Sequence, residues 1–311
     1  MTIAILDDYQ DVIRHLACFQ LLAPYSTLVI HEAIADEALL ASKIDQAEIL
    51  VLNRTRTSIT SSLLDRLPKL KLISQTGKLA GHVDVAACEK RGIEIAEGRG
   101  NPISTAELTW TLILNGLRKI PQAIEAMSEG RWQTNIGDRV YGKKIGIWGY
   151  GKIGKRIAQY AHVFGAEVCV WGSENSRIQA QNDGFEAAES KQKFFESIDV
   201  LSLHLRLRPE TREIVKKEDL NLLKPSALVV NTARAELIEK GALLEVLQQD
   251  KIGGAALDVF DEEPIFDPQH PLLQLENVIC TPHLGYVERW NYELYFSIAF
   301  ENCVHFIQKN S

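Results

Sequence analysis

The sequence predicts an α/β protein with two parallel-sheet domains. Three observations carry that expectation. Residues 144–171 read as strand, glycine turn, helix and strand, with Gly149, Gly151 and Gly154 spaced G-x-G-x-x-G at the turn. Ahead of it, from residue 3 to residue 96, short apolar runs alternate with segments whose apolar residues recur every three or four positions. Beyond it, the same alternation resumes as far as residue 280.

In chain order, a strand at 3–6 ends in Asp7 and Asp8, and Val12, Leu16 and Phe19 follow at helix spacing. A strand at 28–30 precedes a helix that Asp36 caps and that carries Leu39, Leu40 and Ile44. The strand at 49–52 ends in Asn53-Arg54-Thr55-Arg56, and Thr60 starts a helix through Leu63, Leu64 and Leu67. The strand at 72–74 runs into Gln75-Thr76-Gly77-Lys78; a helix at 84–90 and a short strand at 93–96 complete the first domain. Gly98 to Pro102 break the pattern, with Asn101 a suitable cap and Pro102 a suitable first helical residue. That helix carries Leu108, Leu112, Ile113 and Leu117 and is expected to end near Pro121, with a second helix at 122–129. Trp110 and Trp132 are expected in core or interface packing.

The strand at 145–148 opens the glycine motif, and Ile153, Ile157, Ala161 and Phe164 mark one face of the helix after it. Gly165 stops that helix, and 167–171 reads as the next strand. Such glycines allow a tight turn and close backbone approach to a pyrophosphate, whose charge sits at the helix N-terminus. Further strands are expected at 198–203, 227–231, 253–259 and 278–280, with helices at 236–248 and 288–308.

A formal net charge of -7 argues against a nucleic-acid partner. Cys18, Cys88, Cys169, Cys280 and Cys303 form no C-x-x-C pair, so no metal site is signalled, and their usage fits a reducing cytoplasm. Cys169 and Cys280 lie in apolar runs and are expected in the core. The N-terminus lacks the basic segment and cleavage site of a signal peptide, and no apolar run reaches membrane-spanning length.

Ligands of open parallel sheets bind at the carboxyl ends of strands. Three such ends carry able side chains: Arg234 after 227–231, Glu263 after 253–259 and His283 after 278–280. An arginine offers a planar donor fork for a carboxylate. A histidine exchanges a proton near neutral pH, and a carboxylate on its other nitrogen orients the ring and favours its protonated form. This is the set needed to handle a 2-oxo acid.

With these motifs in view, the chain resembles the D-isomer-specific 2-hydroxyacid dehydrogenases, a group that includes D-3-phosphoglycerate dehydrogenase, D-lactate dehydrogenase and glyoxylate/hydroxypyruvate reductases. The resemblance rests on Q-T-G-K-L-A-G-H-V-D at 75–84, G-Y-G-K-I-G at 149–154, H-L-R-L-R-P-E-T at 204–211, N-T-A-R at 231–234, A-L-D-V-F-D-E-E-P at 256–264 and T-P-H-L-G at 281–285. It implies a catalytic triad of Arg234, Glu263 and His283. It also implies an NAD or NADP site formed by Gly149, Gly151, Lys152, Ile153, Gly154, Ser173, His204, Thr232, Ala233, Asp258 and Gly285. The backbone around Lys78 and Leu79 would grip the substrate carboxylate. The implied architecture is two Rossmann-like or flavodoxin-like domains with an interdomain cleft: a substrate domain of 1–100 plus 286–311 and a cofactor domain of 101–285. The connector helices resemble the arm through which family members form homodimers.

Several positions depart from the pattern. The acidic residue that grips the adenosine ribose is replaced by Gly172, and Ser173, Asn175 and Arg177 nearby could accept a 2′-phosphate, which leaves NAD and NADP both open. Leu79 stands where a second glycine is usual, and Arg208 where a small hydroxyl residue is common. Arg54, Arg56 and Lys78 could read a substrate phosphate or be solvated loop charges. A non-catalytic dinucleotide sensor, as in corepressors of this fold, is the alternative reading. Glu263 argues against a formate dehydrogenase, where glutamine partners the histidine.

Overall fold

The computed structural model describes residues 1–310. The chain divides into two compact units, Met1–Asn101 together with the segment from Val287 onward, and Pro102–Tyr286.

Unit 1 is a five-stranded parallel sheet. Its elements are β1 (Thr2–Ile5), β2 (Ser26–Val29), α1 (Glu37–Ile44), β3 (Ile49–Leu52), α2 (Ser61–Asp65), β4 (Leu72–Gln75), α3 (Val85–Lys90) and β5 (Glu94–Glu97), in the sheet order β2-β1-β3-β4-β5. β3 and β4 are buried on both faces, as strands covered by crossover helices must be. Asp36, Thr60 and Asp84 cap α1, α2 and α3 through their side chains. The C-terminal helix Arg289–Lys309, capped by Glu288, returns to this unit and buries Phe296, Ala299, Phe300 and Cys303. Each fully buried phenylalanine contributes about 1.5–3 kcal/mol.

The helix expected after β1 is instead two short 3-10 turns, Ile13–His15 and Ala17–Leu22. Side-chain carboxylates, one local and one from the C-terminal helix, take amides of this segment. Asp8 accepts from Val12 and Ile13 at 3.1 and 3.0 Å, and Glu293 of the C-terminal helix accepts from Ala17 and Cys18 at 2.6 and 3.0 Å.

Unit 2 opens with α4 (Pro102–Arg118) and α5 (Ile120–Ser128). Lys119 breaks between them in the left-handed region, φ 52°, so Pro121 sits in the first turn of α5 rather than ending α4; proline is tolerated there because that amide has no helical partner. Then follow β6 (Lys144–Trp148), α6 (Lys152–Val163), β7 (Glu167–Trp171), α7 (Glu174–Asn182), β8 (Glu186–Ala187), α8 (Lys191–Ser197), β9 (Val200–Leu203), α9 (Lys217–Leu220), β10 (Leu228–Asn231), α10 (Ala242–Gln248), β11 (Gly254–Leu257) and β12 (Val278–Cys280). All seven strands are parallel, in the order β12-β11-β10-β9-β6-β7-β8. The winding reverses between β6 and β9, which defines the switch point where ligands of such sheets bind.

The helix expected at 236–248 is interrupted. Ile238 is extended and bridges to Val215, and α10 begins only after Gly241 at φ 78°. Trp110 is buried against Tyr160 and Phe164, whereas Trp132 is 75% exposed and outside the core. Cys169 is fully buried, but Cys280 on edge strand β12 is only half-buried, because β12 has a neighbour on one side alone. Among the described residues no helix is long and apolar enough to cross a membrane.

Candidate active site

The glycine turn joins β6 to α6, and its three glycines serve three different needs. Gly149 adopts φ 104°, a conformation that L side chains rarely take, and a Cβ there would lie 2.8 Å from the His204 carbonyl carbon. A Cβ on Gly154 would lie 2.1 Å from the Gly149 carbonyl oxygen, so α6 approaches the turn more closely than any side chain permits. A Cβ on Gly151 would meet nothing within 4 Å. That open face, at the N-terminus of a twelve-residue helix, is where a pyrophosphate can approach the backbone. The turn therefore fits a dinucleotide, with Lys152 and Ile153 supplying the first helical amides.

The other expected cofactor residues lie on the same carboxyl edge of the sheet. Ser173 follows β7 and caps α7; His204 follows β9; Thr232 and Ala233 follow β10; Asp258 follows β11; Gly285 lies beyond β12. Burial pushes the His204 imidazole down to about 3, so the ring is neutral, and its Nε2 pairs with Ser202 Oγ at 2.8 Å. Thr232 Oγ1 lies 2.7 Å from Thr109 Oγ1 of α4, which fixes the start of the loop after β10.

That loop presents Arg234. Asn231 clamps it twice: its Oδ1 accepts from the Ala233 amide at 3.0 Å and its Nδ2 donates to the Arg234 carbonyl at 2.8 Å. The Asn231 side chain thus replaces the backbone pairing that β10 can no longer supply.

His283 is held from both directions. Its Nδ1 lies 2.6 Å from Glu263 Oε2, while Glu263 Oε1 accepts from the Phe260 amide at 2.8 Å. Burial raises the Glu263 pKa, but the His283 hydrogen bond and charge, the Phe260 amide and the Arg234 charge outweigh it and hold the carboxyl below its usual range. An ionised carboxylate only accepts, so Nδ1 carries the proton and Nε2 is the nitrogen left for another partner. His283 adopts φ 53°. For a non-glycine residue that costs about 1–3 kcal/mol and persists only where the surroundings over-determine it. Asp258 does this: fully buried, it accepts from Thr281 Oγ1 at 2.6 Å, Leu284 N at 2.7 Å and Gly285 N at 2.8 Å, enclosing His283 on both sides. Burial lifts the Asp258 pKa above its usual value, against the pull of those donors and of His283.

In unit 1, the loop after β4 carries Gly77, Lys78 and Leu79. Arg54, with φ 62°, lays its guanidinium over Gly77: a Cβ there would fall 1.8 Å from Arg54 Nη1. Arg54 also lies over the Tyr295 ring at 5.3 Å. Arg56 is engaged elsewhere, donating to the Asp7 carbonyl at 2.6 Å and lying 4.4 Å over the Tyr9 ring. Lys78 donates to Glu97 Oε2 at 2.7 Å, and the Leu79 amide donates to Glu97 Oε1 at 2.6 Å. Arg54, Arg56 and Lys78 therefore do not converge on one anion, and Glu97 holds the groups expected to grip a carboxylate. Arg208 is exposed, its amide bonded to Thr211 Oγ1.

Sequence reasoning did not single out Asn231 or Glu97. An asparagine at the end of an apolar strand is a signal for such a clamp. Glu97 gave none, because its partners lie 18 and 19 residues away.

This fold and this strand edge define a dinucleotide-binding α/β domain fitted with a histidine–carboxylate pair and an arginine. The chain belongs to the D-isomer-specific 2-hydroxyacid dehydrogenase family: the pattern described as "D-isomer specific 2-hydroxyacid dehydrogenase, NAD binding domain" matches residues 110–285. A D-3-phosphoglycerate dehydrogenase from Methanocaldococcus jannaschii is 38% identical over 249 residues, covering 79% of this chain and 47% of that one. A glyoxylate reductase from Aeropyrum pernix is 32% identical over 297 residues, covering 92% and 84%. A crystal structure described as a phosphoglycerate oxidoreductase from Vibrio cholerae matches with a TM-score of 0.97 at 51% identity, covering 99% of both chains. The chain spans about half the length of the curated D-3-phosphoglycerate dehydrogenases that it matches.

Proposed function

We propose that the chain is an NAD(P)-dependent D-2-hydroxyacid dehydrogenase, acting on a small 2-oxo or 2-hydroxy acid of the kind handled by phosphoglycerate dehydrogenases or glyoxylate/hydroxypyruvate reductases. The observation that carries this reading is the 2.6 Å pair between His283 Nδ1 and Glu263, on the same sheet edge as Arg234 and the glycine turn. When bound, the nicotinamide supplies or accepts the hydride. The chain's own residues do the rest. Arg234 binds the substrate carboxylate and polarises the C2 carbonyl. His283 Nε2 delivers a proton to the C2 oxygen in reduction and takes it back in oxidation. Glu263 orients the imidazole. Lys78 and Leu79, with Arg54 beside them, are the candidate carboxylate-binding residues of unit 1.

The test is a panel of 2-oxo acids followed by NAD(P)H absorbance. His283→Ala should lower turnover by about 10²–10⁴-fold while leaving dinucleotide affinity unchanged. Arg234→Ala should raise KM and lower kcat together. A chain that binds dinucleotide but reduces no member of the panel, or a His283→Ala variant that loses the dinucleotide, overturns the reading.

A second element of the proposal is a homodimer. Unit 2 exposes Ile124 (64%), Met127 (64%), Trp132 (75%) and Ile136 (91%) in and just after α5, more apolar surface than a short segment ordinarily leaves in water. A second copy of the same chain is the partner that covers it.

A further inference from the structure

We propose that the adenosine end of the dinucleotide site is built for a 2′-phosphate, with Arg177 as the residue that selects NADP(H) over NAD(H). The inference rests on the dehydrogenase reading above and names the cofactor that it takes.

It starts at the end of β7. The Trp171 carbonyl accepts from the Gly149 amide at 3.1 Å, so this strand end is tied directly to the glycine turn. In NAD-selecting sheets a carboxylate at this place accepts hydrogen bonds from the ribose hydroxyls and repels a phosphate. Here the position is Gly172, and the backbone itself disfavours a carboxylate. Gly172 adopts φ 152°, which L side chains rarely take, and a Cβ would already lie 3.4 Å from Ser176 Cβ. The adjoining Ser173 spends its oxygen on Ser176, accepting from the amide at 3.3 Å and lying 3.1 Å from Oγ. Two neutral residues therefore occupy the place where charge would decide.

Arg177 lies one helical turn further, its amide bonded to the Ser173 carbonyl at 3.0 Å. Its guanidinium lies 5.0 Å over the Trp171 ring, which orients the planar fork at the strand end. Its Nε is buried in the turn, and among the described residues no carboxylate or other hydrogen-bond partner engages the guanidinium, so its terminal N–H groups are the ones left to meet a ligand. Glu174, the acid nearest in sequence, is exposed in the first turn of α7 and makes no ion pair with it. Most arginines of this chain that meet a carboxylate do so at the surface, as Arg91 does with Asp65 and Arg131 with Glu129. A stacked, half-buried guanidinium whose terminal N–H groups have no partner, beside a strand end without its acid, has the chemistry that a phosphate dianion takes.

The experiment is direct binding of NADPH and NADH, by calorimetry or tryptophan fluorescence, to the wild type and to Arg177→Gln. The wild type should bind NADPH about tenfold or more tightly than NADH, the scale of one charge-assisted contact. Arg177→Gln should bring the ratio near one by weakening NADPH alone. Adenosine 2′,5′-bisphosphate against 5′-AMP on the wild type gives the same comparison without a variant. Equal or tighter NADH binding overturns the proposal, as does an Arg177→Gln variant that weakens both dinucleotides alike, which would make the arginine a packing residue only. Failure to bind either dinucleotide would instead remove the dehydrogenase reading itself.

Discussion

Replacing Glu263 by glutamine keeps the size of the side chain and removes its charge, and the site has no way to absorb the change. Both carboxylate oxygens are in use as acceptors, Oε2 with His283 Nδ1 at 2.6 Å and Oε1 with the Phe260 amide at 2.8 Å. Glutamine has one acceptor and one donor group, so one of the two N–H groups must face an NH₂. If it is Nδ1, the imidazole switches tautomer; if it is Phe260, the loop after β11 loosens. Losing a charge-assisted bond costs about 1.5–3 kcal/mol. The upper end is discounted, because 32% of the Glu263 side chain is exposed and screened by water. A loss of about 1.5–2.5 kcal/mol corresponds to roughly 10- to 70-fold in kcat/KM for reduction. Steady-state reduction of the best 2-oxo acid measures it, with dinucleotide affinity as the control. The stability of the fold carries the same signature. The Glu263 pKa is depressed in the folded protein, so the pair stabilises above the ordinary carboxylate value of about 4.3 and that gain is lost as the pH falls through the lower folded value. The difference in Tm between wild type and Glu263→Gln should therefore narrow on acidification. Full activity in Glu263→Gln, or a Tm difference that widens in acid, would refute the assignment of Glu263 as the positioning residue of His283.

Three further outcomes follow from the geometry. Gly151→Ala should fold with unchanged Tm, since its Cβ meets nothing within 4 Å, yet lose dinucleotide affinity, whereas Gly154→Ala should lower stability by about 1–3 kcal/mol because its Cβ would sit 2.1 Å from the Gly149 carbonyl oxygen. Calorimetry with and without dinucleotide separates the two. Glu97→Gln should lower KM for an anionic 2-oxo acid several-fold with kcat unchanged, by relieving competition at Lys78 and Leu79; a raised KM would mean that Glu97 shapes the loop instead. Ile124→Asp together with Trp132→Asp should halve the mass seen by sedimentation, and an unchanged mass would place the dimer elsewhere.

What was legible in the sequence is what depends on neighbours in the chain. β3 and β7 coincide with their apolar runs, and the caps Asp36, Thr60 and Asp84 stand where short polar side chains precede helical spacing. The parallel order of both sheets follows from alternation with crossover helices. The meeting of Glu263 with His283 was legible because each lies in the loop after one of two paired parallel strands, and parallel neighbours bring their carboxyl ends together. What was not legible depends on partners far along the chain. The turns at 13–22 take their shape from Glu293, and the break at Ile238 from Val215. β8 is two residues long, too short for any period to register.

The same distinction bears on how the candidate histidine is placed. His283 and Glu263 are read from motif and spacing, but what holds His283 at φ 53° is Asp258, through three donors at 2.6–2.8 Å from the segment that flanks the histidine. A left-handed histidine is tolerable only while that buried carboxylate stays bonded on both sides of it. The strain and its restraint thus form one unit, and the orientation of Nε2 is set as much by the loop's anchor as by Glu263. Sequence spacing identifies the candidate group; the buried acceptor beneath it decides where that group points.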